Sequence, residues 1–207
     1  MTNIYHITHI DNLQGMINEG GLQCDRVSSE RGLCARSIAY QHIKERRAMR
    51  PVMVSMRGTL WDYVPFYFCP RSPMLYVNYR GNVPGYPDGQ TPIVHIVSTA
   101  EDIRNFGIPF FFTGGHAEMV FSIQYDNLEQ LGELDWEVIN SKYWFDSIRD
   151  DDRKRRKQSE FLVFEFFPWD LISEIGVINH DIYNKVTAII KDCSHQPAIT
   201  IHPEWYY

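Results

Sequence analysis

No excess of positive charge marks this 207-residue chain: 20 Lys and Arg stand against 26 Asp and Glu, a formal net charge of −6. That balance excludes a protein that coats duplex DNA through bulk charge. Any nucleic-acid contact has to be local, from Arg46, Arg47 and Arg50 or from the run Arg153 to Lys157. Cysteine is scarce, and Cys24, Cys34, Cys69 and Cys193 form no CxxC pair, which argues against a structural zinc site. No segment reaches the roughly 18 apolar residues of a membrane span. The opening "MTNIYHITHIDNL" lacks the apolar core of a signal peptide, so a reducing cytoplasm is the expected compartment. Also missing are a GxGxxG turn, a Walker loop, an HExxH pair and a GxSxG elbow, and with them the chemistries those motifs carry.

Aromatic residues are abundant, at 14%. The surplus rings have to pack somewhere, and clefts that stack planar ligands are one outlet. Length and composition predict a single domain over 1–207 with a substantial core. "NIYHITHI" reads as a first strand, and Asp11 is placed to cap a helix built on Leu13, Met16 and Ile17. "QCDRVSSERGLCARS" has no periodicity and reads as a loop, "SIAYQHIKERRAM" reads as a helix ended by Pro51, and 52–58 reads as another loop. "YVPFYFCP" predicts an edge or irregular strand because of its prolines, and "SPMLYVNYR" a second strand. "IVHIVS", "IPFFFTGG", "FLVFEFF", "ISEIGVI" and "AITIHPEWYY" add strands, with helices over "STAEDIRNFG" and "HDIYNKVTAIIKDC". Many short strands with few helices predict an α+β domain with mostly antiparallel sheets.

Glu160 stands alone between the cationic run and an apolar strand. With Gln158 two positions away, strand geometry would place carboxylate and amide on one face, suited to a sugar hydroxyl and a leaving group. From spacing alone, a carboxylate that merely ends a strand in water is the somewhat favoured reading, since Gln-x-Glu is a common triplet. On the first strand His6 and Thr8 share a face and His9 points away, so a metal pair is disfavoured. Arg46, Arg47 and Arg50 suit either a solvated helix end or a phosphate clamp. "FYFCPRSPMLY", with Tyr67 and Met74, suggests a cleft wall, and "TGGHAEM" offers a loop bearing His116 and Glu118.

Taken in order, "IYHITHIDNL", "SIAYQHIKERR", "DYVPFYFCPRSPMLY", "KRRKQSEFLV" with "FPW", and the terminal "WYY" resemble the DarT family of DNA ADP-ribosyltransferase toxins. The resemblance implies an ADP-ribosyltransferase fold, two small mostly antiparallel sheets around an NAD cleft. It implies transfer of ADP-ribose from NAD, as co-substrate and without a metal, to a base of single-stranded DNA, most often thymidine. A macrodomain antitoxin, DarG, is the implied partner. The implied catalytic pair is Glu160 and Arg47, with His6, Thr8 and Tyr67 at NAD. Met74, His116, Arg153 and Arg155 would face the acceptor strand. A transferase acting on RNA or protein, and a non-catalytic nucleotide-binding module, are the alternatives at this point.

Overall fold

The computed structural model describes residues 1–54 and 57–207. Ten strands form: β1 (Asn3–His9), β2 (Gly21–Gln23), β3 (Tyr63–Tyr67), β4 (Ile93–Thr99), β5 (Phe110–Thr113), β6 (Gln124–Tyr125), β7 (Glu160–Phe164), β8 (Phe166–Pro168), β9 (Glu174–Val177) and β10 (Ala198–Ile201). Eight α-helices accompany them: α1 (Leu13–Asn18), α2 (Asp25–Arg31), α3 (Gln41–Met49), α4 (Pro73–Tyr79), α5 (Ala100–Phe106), α6 (Trp136–Asn140), α7 (Arg153–Lys157) and α8 (His180–Ile190). Eight strands share one sheet in the order β10-β9-β4-β1-β3-β7-β5-β6, and β2 pairs with β8 apart from it. Every pairing is antiparallel except β10 with β9, as the α+β expectation requires.

The two expected small sheets are joined rather than separate. β1 and β4 are registered over seven residue pairs, but β1 and β3 meet only at Tyr5 and Tyr67. The large sheet is therefore two four-stranded halves held at a narrow waist. Pro65 contributes to this opening. A strand residue directs its N–H and C=O to the same side, so proline leaves one side without a donor. On that side the Pro65 carbonyl accepts a hydrogen bond from His6 Nδ1 at 2.8 Å instead of joining a ladder. The expected edge strand is thus internal, and its proline lies where pairing to β1 lapses.

β4 is buried along its whole length, polar His95, Ser98 and Thr99 included. α8 covers one part of the sheet with Ile182, Val186 and Ile190, which pack among Ile172, Ile175 and Val177. The "FLVFEFF" strand breaks at Glu165, whose φ of 56° is left-handed, so that Phe166 leaves the large sheet to pair with β2. Three local expectations change. "SPMLYVNYR" is the helix α4, because Ser72 accepts from the Leu75 N–H and Pro73 opens the first turn. Asp11 does not cap α1; the His9 ring accepts from the Asp11 N–H instead. The segment expected as a loop from Gln23 contains α2, closed by Gly32 at φ 62°. The loop expected over 52–58 includes two positions, 55 and 56, that lie outside the described residues.

Candidate active site

Glu160 opens β7 at the waist, opposite Tyr67 in the β3 ladder, and Tyr67 in turn faces Tyr5 of β1. Its N–H donates to Thr113 Oγ1 at 3.2 Å, which ties the start of β7 to the end of β5. The residue is only 3% exposed. Its Oε2 accepts from Arg47 Nη1 at 2.8 Å and its Oε1 from the Ala117 N–H at 3.0 Å. Burial of the Glu160 carboxyl favours its neutral form, but the Arg47 guanidinium and these donors outweigh that, and its pKa falls below the ordinary carboxylate value. Burial likewise opposes charge on Arg47, and the Glu160 carboxylate overrides it. The site therefore holds a buried, ionised pair.

Arg47 Nη2 has no hydrogen-bond partner among the described residues and is buried. A buried guanidinium N–H left unmade is costly, and an oxygen of a bound phosphate, hydroxyl or base carbonyl would satisfy it. His116 lies beside the pair, with Nδ1 at 4.0 Å from Glu160 Oε1. Burial lowers its pKa, and Nδ1 accepts from the Glu118 N–H, so the ring is neutral with its proton on Nε2. The contact with Glu160 is therefore not an ion pair at neutral pH. Burial also lowers the His6 pKa; its Nδ1–H is spent on Pro65 and its Nε2 is left as an acceptor. The Tyr67 phenol, pushed up by burial and by Glu160, stays protonated and donates weakly to Met74 Sδ at 3.8 Å.

One cleft gathers most of the expected residues. Glu160, Arg47, His116, Tyr67, Met74, His6 and Thr8 all line it. The remaining expected residues lie elsewhere or serve differently. Gln158 caps α7 and donates outward to the Lys154 carbonyl at 3.0 Å, so the Gln-x-Glu pairing does not form. The cationic run, expected as a loop, is helical and largely committed to the protein. Arg155 binds Asp152 at 2.5 Å and the Gly114 carbonyl at 3.0 Å, and Arg153 donates to the Tyr143 carbonyl at 3.0 Å. Arg156 pairs with Asp135 and Asp150. Lys157 is buried and donates to the carbonyls of Ile139 and Ser141. Arg46 and Arg50 do not clamp the cleft: they reach Glu118 and the Val120 carbonyl, both in the 114–122 segment.

Sequence reasoning missed other parts of the cleft. Asn12 lines it and holds the Arg36 backbone from both sides, donating to its C=O at 2.8 Å and accepting from its N–H at 2.9 Å. Asn12 therefore ties Arg36, and with it the 33–39 wall, to the turn after β1; the only hint was an Asn three positions past the first strand. The Ala117 N–H has no signature at all, since any residue but proline supplies it. No group of three or more His, Cys, Asp or Glu able to hold a metal occurs among the described residues. No helix among them is long and apolar enough to cross a membrane.

A DNA ADP-ribosyl transferase of Thermus sp. (strain 2.9) is 45% identical over 208 residues, spanning 100% of this chain and 96% of the relative. One of Mycobacterium tuberculosis is 29% identical, spanning 99% of this chain and 88% of the relative. Among solved structures, Thermus sp. 2.9 DarT in complex with ADP-ribosylated ssDNA matches with a TM-score of 0.93 at 44% identity, covering 100% of this chain and 96% of that one. The same protein in complex with NAD+ matches with a TM-score of 0.89 at 41% identity, covering 100% and 98%. A family model described as ssDNA thymidine ADP-ribosyltransferase, DarT, matches residues 5–207, and the chain belongs to that family.

Proposed function

We propose that this chain transfers ADP-ribose from NAD to thymidine in single-stranded DNA and releases nicotinamide. The reading rests above all on the buried Arg47–Glu160 pair, with one guanidinium N–H still unpartnered, in the wall of a cleft. Relatives 45% identical are DNA ADP-ribosyl transferases, and structures of the Thermus protein hold NAD+ or ADP-ribosylated ssDNA.

As the bond from the ribose C1′ to nicotinamide breaks, the nitrogen takes the electron pair and the sugar acquires oxocarbenium character. Glu160 faces that charge as an ionised carboxylate in a dry site, where the attraction is stronger than in water. A thymine ring nitrogen then forms the new bond to C1′ and sheds its proton. Arg47 stays protonated and is no base. His116, with its proton already on Nε2, offers a donor, so Glu160 takes the proton. Arg47 Nη2 is assigned to an oxygen of the NAD diphosphate or the thymine carbonyl, and the His116 Nε2–H to the other carbonyl. Tyr67 and Met74 form the wall against which the nicotinamide and acceptor rings pack, while His6 Nε2 and Thr8 receive ribose hydroxyls. A free strand is the natural acceptor, because thymine N3 is hidden inside a duplex pair.

Arg153 and Arg155 carry the strand less directly than free cations would; their contribution is to hold the loops that the strand meets. Four free thiols fit a reducing, cytoplasmic setting for this single 1–207 unit. A partner that reverses the modification belongs to the same reading. A Thermosipho africanus relative, 24% identical and covering 91% of this chain, joins a DNA ADP-ribosyl transferase to a DNA ADP-ribosyl glycohydrolase. The family's macrodomain antitoxin, DarG, would supply that activity here.

The test incubates the protein with labelled NAD and single-stranded DNA, duplex DNA, RNA or protein acceptors. Label on thymine-containing single strands, absent when thymine is replaced, is the expected result. Label on RNA or protein alone would move the acceptor to another class, and no nicotinamide release with any acceptor would contradict a transferase.

A further inference from the structure

A second recess lies on the far side of the 35–39 wall, outside the cleft just described. It is lined by residues 35–37, by the start of α3 at Tyr40, Gln41 and His42 with Glu45, and by 84–86. We propose that this recess seats a nucleobase next to the acceptor thymidine and so sets the sequence context of modification. The inference rests on the proposed single-stranded DNA substrate.

Four observations support it. First, Tyr86 is only 3% exposed, and its hydroxyl is buried with no hydrogen-bond partner among the described residues. A buried O–H without a partner is rare in a native protein and marks a place where a ligand atom completes the site. Second, the Tyr40 and His42 rings lie 5.2 Å apart at 38°, and His42 is exposed, so an aromatic surface is available for stacking. Third, the Gln41 amide nitrogen donates to Glu45 at 3.3 Å, which leaves the amide oxygen to meet the edge of a base. Fourth, no side chain caps α3, so its first N–H groups stand ready for a phosphate oxygen. The Arg36 guanidinium is half exposed and only loosely paired, at 3.8 Å from Asp11 and 4.0 Å from Asp88.

The recess also lies in the right place. Arg36, Ser37 and Ala39 line both it and the catalytic cleft, so only one chain segment separates them. Tyr40 packs against the same buried cluster as the cleft residues Tyr67 and Met74. A strand whose thymine enters beside Glu160 can therefore place an adjoining base here. The adenine of NAD is the competing source of the same chemistry, and kinetics separate the two.

Tyr86→Phe is a clean probe, because it removes an O–H that makes no protein hydrogen bond and should leave the melting temperature unchanged or slightly raised. Gln41→Ala alters an exposed side chain. Transfer from NAD is measured on thymidine oligonucleotides varied one position at a time on each side of the acceptor, with the NAD KM determined for each protein. The wild type should discriminate among bases at one neighbouring position, and both variants should weaken that discrimination by about three- to tenfold with the NAD KM unchanged. Unaltered discrimination in both variants would overturn the inference and leave the proposed activity standing. A raised NAD KM would assign the recess to adenine and overturn it likewise. A wild type that labels no oligonucleotide would remove the DNA substrate itself, and the inference with it.

Discussion

Arg47 and Glu160 are 113 positions apart in sequence and 2.8 Å apart in space. Neither group can change without stranding the other. Removing the carboxylate leaves a buried guanidinium uncompensated, so Glu160→Ala should cost roughly 3–5 kcal/mol of folding stability, read by denaturant unfolding. The pH dependence has a definite sign. Because Arg47 holds the folded Glu160 pKa below 4.5, the pair's stabilisation is complete above that value and is lost as pH falls towards the folded pKa. Glu160→Gln should therefore flatten the acid limb of the stability profile. At this scale the sequence reveals identities more readily than partners. Glu160, Arg47 and His6 stand within the family strings, whereas His116 lies in "TGGHAEM", outside them. The Ala117 N–H, by contrast, is a backbone group whose place beside Glu160 comes from the turn that aims it. Gln158 was misjudged because strand geometry was extended into what is the end of α7.

Among the elements, the 114–122 segment is held from two sides. α3 grips it through Arg46 to Glu118 and Arg50 to the Val120 carbonyl, and α7 through Arg155 to the Gly114 carbonyl. A Cβ at Gly115 would collide with the Arg155 guanidinium and force that side chain off the Gly114 carbonyl. Gly115→Ala should displace Arg155 and loosen the turn that positions His116 and Ala117. Faster amide exchange over 114–122 and roughly tenfold slower transfer to DNA are expected; NAD cleavage by water should be less affected. An unchanged exchange pattern would show that Arg155 does not hold the segment. The helices α4 and α7 show why element type was harder to read than position. "SPMLYVNYR" has strand composition, but Ser72 and Pro73 impose a helical start. The cationic run looked like a solvated loop because the acids that neutralise it, Asp135, Asp150 and Asp152, are partly distant in sequence.

For the whole molecule, the waist between β1 and β3 organises the site. Most of the long strands and the mostly antiparallel sheet were legible from runs rich in β-formers, whereas the short β2 and β6 were not and α4 was expected as a strand. The union of the halves through a single residue pair was not legible either, since register depends on long-range contacts. Stability of the assembled core should respond to acid earlier than its carboxylates imply. His95 is fully buried, and loss of hydration lowers its pKa from 6.5 to about 4. Between those values the unfolded chain binds a proton that the folded chain refuses. Stability should therefore be greatest above pH 6.5 and fall, by up to roughly 3 kcal/mol from this residue, as pH drops to about 4. Denaturant unfolding of the wild type and of His95→Gln over that range checks it; the variant should show a shallower slope.

The most direct test of the central claim is the single-turnover rate of ADP-ribose transfer from saturating NAD to a thymidine oligonucleotide, compared for the wild type and Glu160→Gln with NAD affinity measured alongside. A buried carboxylate that meets a developing ribosyl cation predicts a loss of about a thousandfold in rate with NAD affinity changed severalfold at most. A folded Glu160→Gln protein that transfers at the wild-type rate would contradict it.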